Sequence, residues 1–296
     1  SRTRLAGISR ASNGGRCAGS LNRSLLPPTL HRCLHPQPPN RSPQDDARMN
    51  ALDFLPGPNG ALACRYWPGD AQRAPVLLLP PLHEEMNRSR LQLRRIGEHL
   101  QARGHSVLLG DLSGTGDSAG EFGEASLERW RADVEALFDY LQTDHPAAPV
   151  TVALRGGALL VPARCRHWIA AFPLASGAQQ IRLWLRQRLY TGRFQGEDID
   201  SAALLAQWRE HGIEVAGYAL SPALLTELER AQLRVGDTAA GHVIEWQQPQ
   251  PSASFAKDIA RGALRWRALS GPAFWQTPET AVIDGLPEAL AAWMPA

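Results

Sequence analysis

Residues 149–163, PVTVALRGGALLVPA, constrain the fold more than any other stretch of the chain. They read as a short apolar strand, a sharp turn at Gly156-Gly157, and a helix over residues 156–165. A strand this apolar is buried on both faces, which is the condition of a parallel strand inside a covered sheet. At the corner stands Arg155. Its guanidinium stays protonated at any ordinary pH and does not attack a carbonyl.

The same alternation continues along the chain. Residues 61–67 (ALACRYW) fit an edge strand, and residues 74–80 (APVLLLP) a buried one. Residues 87–103 carry a helical period at Leu91, Leu93, Ile96 and Leu100, ended by Gly104 as a C′ glycine. Residues 105–111 form the next strand. Residues 126–142 form an amphipathic helix with Ser126 as N-cap and Leu127, Trp130, Val134, Leu137, Phe138 and Leu141 on one face. Strands follow at 149–154 and 168–174. The spacing predicts an α/β fold with a mostly parallel central sheet and helices on both faces. Residues 176–235 interrupt it with helical segments and one strand near 213–218, which predicts a helical lid insertion. Trp184 and Trp208 are expected to pack within that lid. Residues 242–246 and 264–269 close the sheet, and residues 287–294 make a terminal helix.

At 296 residues the chain can bury a full core. Its 44% hydrophobic and 20% charged content fits a globular protein, and its net charge of +2 gives no ground for binding nucleic acid or an anionic membrane. No apolar run approaches the ~20 residues of a membrane-spanning helix. Cys17, Cys33, Cys64 and Cys165 show no metal spacing, so free thiols in a reducing, cytoplasmic compartment are expected, with no metal and no cofactor. Residues 1–48 are rich in Ser, Pro, Asn and Arg and lack an apolar period. They are expected to be disordered, or a non-native extension ahead of Met49, leaving residues 49–296 as the domain.

Three constellations could carry chemistry. Gly116-Asp117-Ser118-Ala119-Gly120 matches G-x-S-x-G by letter, yet no helix opens on Ser118. A nucleophile elbow requires strand, turn and helix without slack. A loop serine shaping a pocket rim is the competing reading. At 153–157, Ala-Leu-Arg-Gly-Gly has the right context with Arg155 in the serine's place. Nothing after His242 offers an imidazole, and the loop LSGPAFW carries Ala273 where a histidine would be needed. His83 reads as a polar loop residue. The acids Glu84, Glu85, Asp111 and Asp117 follow strands, and so fall at the carboxyl edge where open α/β sheets bind ligands. A guanidinium buried there needs an anionic partner. One of these four carboxylates is therefore expected to pair with Arg155, unless they only cap turns. Arg155 and a helix N-terminus at Gly156 together fit a small anionic ligand. Water activated by Glu84, Glu85 or Asp117 is the route left for hydrolysis.

PPLHEEMNRSR, GDLSGTGDSAGEFGEASLERWRADV, VALRGGALL, IEVAGYALSPAL and GPAFWQTPE, in this order, resemble the second of the two exosortase A system-associated hydrolase families. The resemblance spans residues 61–280 and implies an α/β-hydrolase fold. It also implies a link to bacterial exopolysaccharide production and PEP-CTERM protein sorting, with export components as partners. The matching positions are Glu84, Glu85, Asn87, Arg90, Asp111, Gly114, Gly116, Asp117, Ser118, Gly120 and Arg155, with Gly156 beside them. His83 stands where the pattern has a small residue, and VALRGG replaces a G-L-R-x-G spelling. The family name implies an esterase, thioesterase or acyltransferase, using Ser118 or a carboxylate-activated water. The missing Ser-His-Asp set implies instead a pseudoenzyme that binds a small anionic or acylated ligand.

Overall fold

The computed structural model describes residues 53–235, 240–277 and 281–295. The expectations for residues 1–48, including Cys17 and Cys33, lie outside these. The strands are β1 (Asp53–Gly57), β2 (Gly60–Trp67), β3 (Val76–Leu79), β4 (Val107–Gly110), β5 (Val150–Leu154), β6 (His167–Ala171), β9 (Ala240–Trp246) and β10 (Leu264–Leu269). They form one eight-stranded sheet in the order β1-β2-β4-β3-β5-β6-β9-β10. β1 and β2 pair antiparallel with their neighbours, and every pairing from β4 to β10 is parallel.

Period-two alternation sends side chains into two cores. Leu77, Leu79 and Leu108 face α2 (Leu127–Asp144), whose Leu127, Trp130, Val134, Leu137 and Phe138 fill one layer. Val76, Leu78, Val152 and Leu154 face α1 (Glu84–Ala102) and α7 (Gly285–Ala291), contributing to the other layer with Leu93, Ile96 and Leu286. Gly104, at φ 90°, ends α1 as expected. Between β6 and β9 the chain inserts α3 (Gly177–Phe194), α4 (Ser201–His211), a hairpin of β7 (Ile213–Val215) and β8 (Tyr218–Leu220), and α5 (Pro222–Arg230). Trp184 and Trp208 are buried in it, 6.0 Å apart between ring centroids.

Several sequence expectations are corrected. Residues 61–67 are not an edge strand, because β1 folds back through Pro58-Asn59 and takes the edge. Residues 156–165 do not form an α-helix. A single 3-10 stretch, Arg155–Leu160, stops before Pro162, whose ring disfavours helical backbone in the residue ahead of it. α1 starts three residues earlier than its apolar period predicts, so Glu84 and Glu85 occupy its first turn rather than a loop. The strand predicted at 168–174 ends at Ala171, and the one predicted at 213–218 is a two-stranded hairpin. A short helix, α6 (Ala256–Ala260), has no counterpart in the sequence reading.

Candidate functional site

β5 ends at Leu154, and Arg155 follows at φ 52°, a left-handed conformation that costs an arginine energy. The turn is tight. A Cβ on Gly157 would collide with the Pro80 carbonyl oxygen at the end of β3, and one on Gly156 with Gln180 Oε1 of α3. Glycine is therefore required at 157 while β3 keeps its place, whereas a Cβ at 156 would displace the Gln180 side chain.

The Arg155 side chain is only 10% exposed, and each of its nitrogens has an acceptor. Nε and Nη2 donate to the two Glu85 carboxylate oxygens at 3.2 and 3.1 Å, and Nη1 donates to the Phe172 carbonyl at 3.0 Å. The guanidinium carbon also lies 4.7 Å from the Trp275 ring centroid, a cation–π contact. Trp275 belongs to the loop after β10, where a histidine would have been needed. Phe172, itself at φ 52°, packs 5.1 Å from Trp275. Burial pushes the Glu85 carboxyl up from its ordinary value, while the Arg155 charge and hydrogen bonds pull the other way.

The expectation of a carboxylate partner for Arg155 thus resolves to Glu85. The expectation that Arg155 and a helix N-terminus grip an anion meets two facts. The guanidinium is already neutralised, and the helix is one 3-10 stretch.

Glu84 points elsewhere. Its Oε1 accepts from Arg88 at 2.5 Å and its Oε2 from Gln187 Nε2 of α3 at 2.7 Å. Burial works to raise its pKa, but these hydrogen bonds and the Arg88 charge hold it below the usual value. His83, at φ 61°, is buried rather than a polar loop residue. Its Nε2–H donates to the Val215 carbonyl at 2.9 Å, and its ring lies against Tyr218, Trp184 and Phe122. Burial pulls its pKa down to about 4, so the ring is neutral near pH 7. Asn87 Nδ2 donates to the Tyr218 hydroxyl at 2.7 Å.

The remaining candidates gather around the loop after β4. Arg90 donates to both Asp111 oxygens, at 2.7 and 3.1 Å. The Asp117 amide also reaches Asp111 Oδ2, at 3.4 Å, while Asp117 itself is exposed. Gly116, at φ 53°, passes so close to Asp111 that a Cβ would strike its carboxylate. Ser118 is buried rather than solvated. Its hydroxyl donates to the Asp111 carbonyl at 2.7 Å and accepts from the Ala63 amide at 2.8 Å. Its oxygen works as a backbone clamp, and no imidazole among the described residues touches it. Beside this cluster lies a cleft of ≈ 380 Å³ lined by Arg65, Arg90, Arg94 and Asp111 among others.

Sequence reasoning missed Trp275, Phe172 and Gln180. Trp275 was visible in GPAFW, but nothing local marks it as the neighbour of Arg155. Gln180 is 1% exposed, and neither of its amide atoms has a partner among the described residues. Among those residues, no group of three or more His, Cys, Asp or Glu side chains is placed to hold a metal ion. No helix there is long and apolar enough to cross a membrane.

No protein-family model matches the chain, and no curated protein does. Solved structures do match. A provisionally named hydrolase from Agrobacterium vitis S4 is 16% identical, with 83% of this chain and 99% of that one covered at a TM-score of 0.57. Est1E from Butyrivibrio proteoclasticus, solved with ferulic acid bound, is 16% identical over 81% and 95%, at 0.54. Alpha/beta hydrolase domain-containing protein 10 from mouse is 14% identical over 82% and 96%, at 0.51. Likeness at such identities is one of fold, and the strand order agrees with it. This chain has the α/β-hydrolase fold.

Proposed function

We propose that this protein is an exosortase A-associated member of the α/β-hydrolase superfamily whose elbow binds and does not cleave by serine chemistry. The observation that carries the reading is the bidentate Arg155–Glu85 pair at the corner where the fold presents a nucleophile. The pair fills that corner, Trp275 covers it, and no imidazole among the described residues reaches it. Because Glu85 cancels the charge of Arg155, the pair as a whole favours an acylated ligand over a free anion. Gln180 supplies what such a ligand needs: a buried amide donor and acceptor beside Gly156, both without partners among the described residues. A buried polar group left so calls for a water or ligand atom. The ligand-binding step belongs to cytoplasmic handling of exopolysaccharide or PEP-CTERM components, and the insertion at residues 176–235 acts as the lid.

A fluorophosphonate probe with mass-spectrometric readout tests the elbow. The expected result is no labelled serine, and no turnover across aryl ester and acyl thioester panels. Labelling of Ser118 that disappears in Ser118→Ala would sink the proposal. So would ester turnover lost in Glu84→Gln, Glu85→Gln or Asp117→Asn, which would assign hydrolysis to a carboxylate-activated water.

A further inference from the structure

Helix α3 carries four arginines, Arg182, Arg186, Arg188 and Arg193, and no acidic residue over its 18 residues. Its buried face is formed by Gly177, Gln180, Ile181, Trp184, Leu185 and Gly192. At 3.6 residues per turn, Arg182, Arg193 and Arg186 fall within about 40° of one another on the opposite face, and Tyr190 and Phe194 occupy the next ~80°. Tyr190 is 77% exposed and Phe194 90%, more than any other large apolar side chain among the described residues. Arg188 lies off this stripe and pairs with Glu197 at 2.7 Å. Asp200 is engaged in capping α4, which leaves Asp198 as the one uncommitted acid in the turn beyond. Arg182, Arg186 and Arg193 have no ion-pair partner among the described residues. The net charge of +2 conceals this local asymmetry.

α3 lines none of the three clefts at Arg90, His242 and Leu159. Guanidinium groups along one edge attract lipid phosphates, and aromatic rings along the next edge favour the boundary between headgroups and acyl chains. We propose that the outer face of α3 is a docking surface for an anionic lipid bilayer, on which the protein lies without crossing.

Vesicle flotation of the full chain tests this, using phosphatidylcholine mixed with phosphatidylglycerol against phosphatidylcholine alone. The parent should float with the anionic vesicles and release as salt rises. The triple variant R182Q/R186Q/R193Q should bind about a hundredfold more weakly at low ionic strength. Y190S/F194S should lose about tenfold. The arginines within residues 1–48 are common to parent and variants, so only the difference reads the helix. All five positions are exposed, and circular dichroism should confirm an unchanged fold.

Variants that bind like the parent overturn the proposal, as does equal binding to neutral vesicles. Polyglutamate serves as the acidic-protein probe. If it binds as tightly as the vesicles, depends on the three arginines and ignores Y190S/F194S, the face belongs to an acidic protein. A dimer by light scattering that F194S abolishes would assign the face to a second copy.

Discussion

Two turns at the carboxyl edge of the sheet invert one another. The loop from Asp111 to Gly120 has the letters of a nucleophile motif, yet its serine hydroxyl is committed to the Asp111 carbonyl and the Ala63 amide. The turn at Arg155 lacks the serine, yet it has the backbone: a strand ending on a residue at φ 52°, with glycine forced by the approach of Pro80. An elbow is a property of backbone and packing, and its occupant is a separate matter. At one turn a serine holds two strands together. At the other an ion pair fills the corner.

The largest expected effect breaks the ion pair from one side only. Arg155→Met should destabilise the protein by about 3–5 kcal/mol in urea unfolding, because it strands the buried Glu85 carboxylate. Arg155→Met with Glu85→Leu should recover most of that loss, since an apolar pair of similar volume is tolerated where a lone charge is not. If the double variant is as unstable as the single, the pair is not what holds the elbow. Arg155→Ser should create no esterase, because Trp275 and not an imidazole stands beside the corner.

Next in size is an acid effect at the elbow side to which the loop's serine gives no counterpart. His83 is held near a pKa of about 4 by burial, against 6.5 when free. Its stabilising contribution is complete above pH 6.5 and is lost as pH falls toward 4. That range corresponds to roughly 3 kcal/mol. His242, likewise pulled down to about 4 by burial and by the nearby His167 and Arg265, adds to the same limb. His83→Gln keeps a donor for Val215 but does not titrate. Its unfolding free energy should therefore fall less steeply between pH 6.5 and 4 than the parent's, and an unchanged slope would remove His83 from the account. The Asp111–Gly120 loop holds no histidine.

Ser118→Ala then probes the other turn. It leaves the buried Ala63 amide and one bond of the Asp111 carbonyl unmet, at a cost of about 1–3 kcal/mol. Ligand binding at the elbow should not change. A lost ligand affinity without lost stability would reverse the roles assigned to the two turns.

Much of this was legible in the sequence, and for definable reasons. Apolar period located α2 from Ser126 onward, and the continuous apolar runs located β3 and β5. The demand of a buried arginine for an anion narrowed its partner to four acids, of which Glu85 is one. What escaped depended on contacts distant in sequence. Asp53 to Gly57 carries no strong strand signal, and β1 owes its existence to pairing with β2. The apolar segment after Gly157 resembles a helix by composition, but Pro162 ends it within about two turns. Phe172 becomes a neighbour of Arg155 only when β6 pairs with β5, and Trp275 only when the loop after β10, three strands away from β5, reaches back to the elbow.

The smallest effect concerns how each turn is tied to the insertion. On the elbow side, Gln187 holds Glu84 and Val215 holds His83. On the loop side, Glu227 of α5 accepts from the Leu127 and Glu128 amides at the start of α2, next to the Ser126 cap. A carboxylate there meets both the free amides and the positive end of the helix. Glu227→Ala should therefore cost about 0.5–1 kcal/mol. Hydrogen exchange should show the loss in the first turn of α2 and in α5, with the amides around Arg155 unchanged. Equal deprotection at both turns would mean that the insertion moves as one piece over the whole edge, and the contrast between the two turns would then belong to their side chains alone.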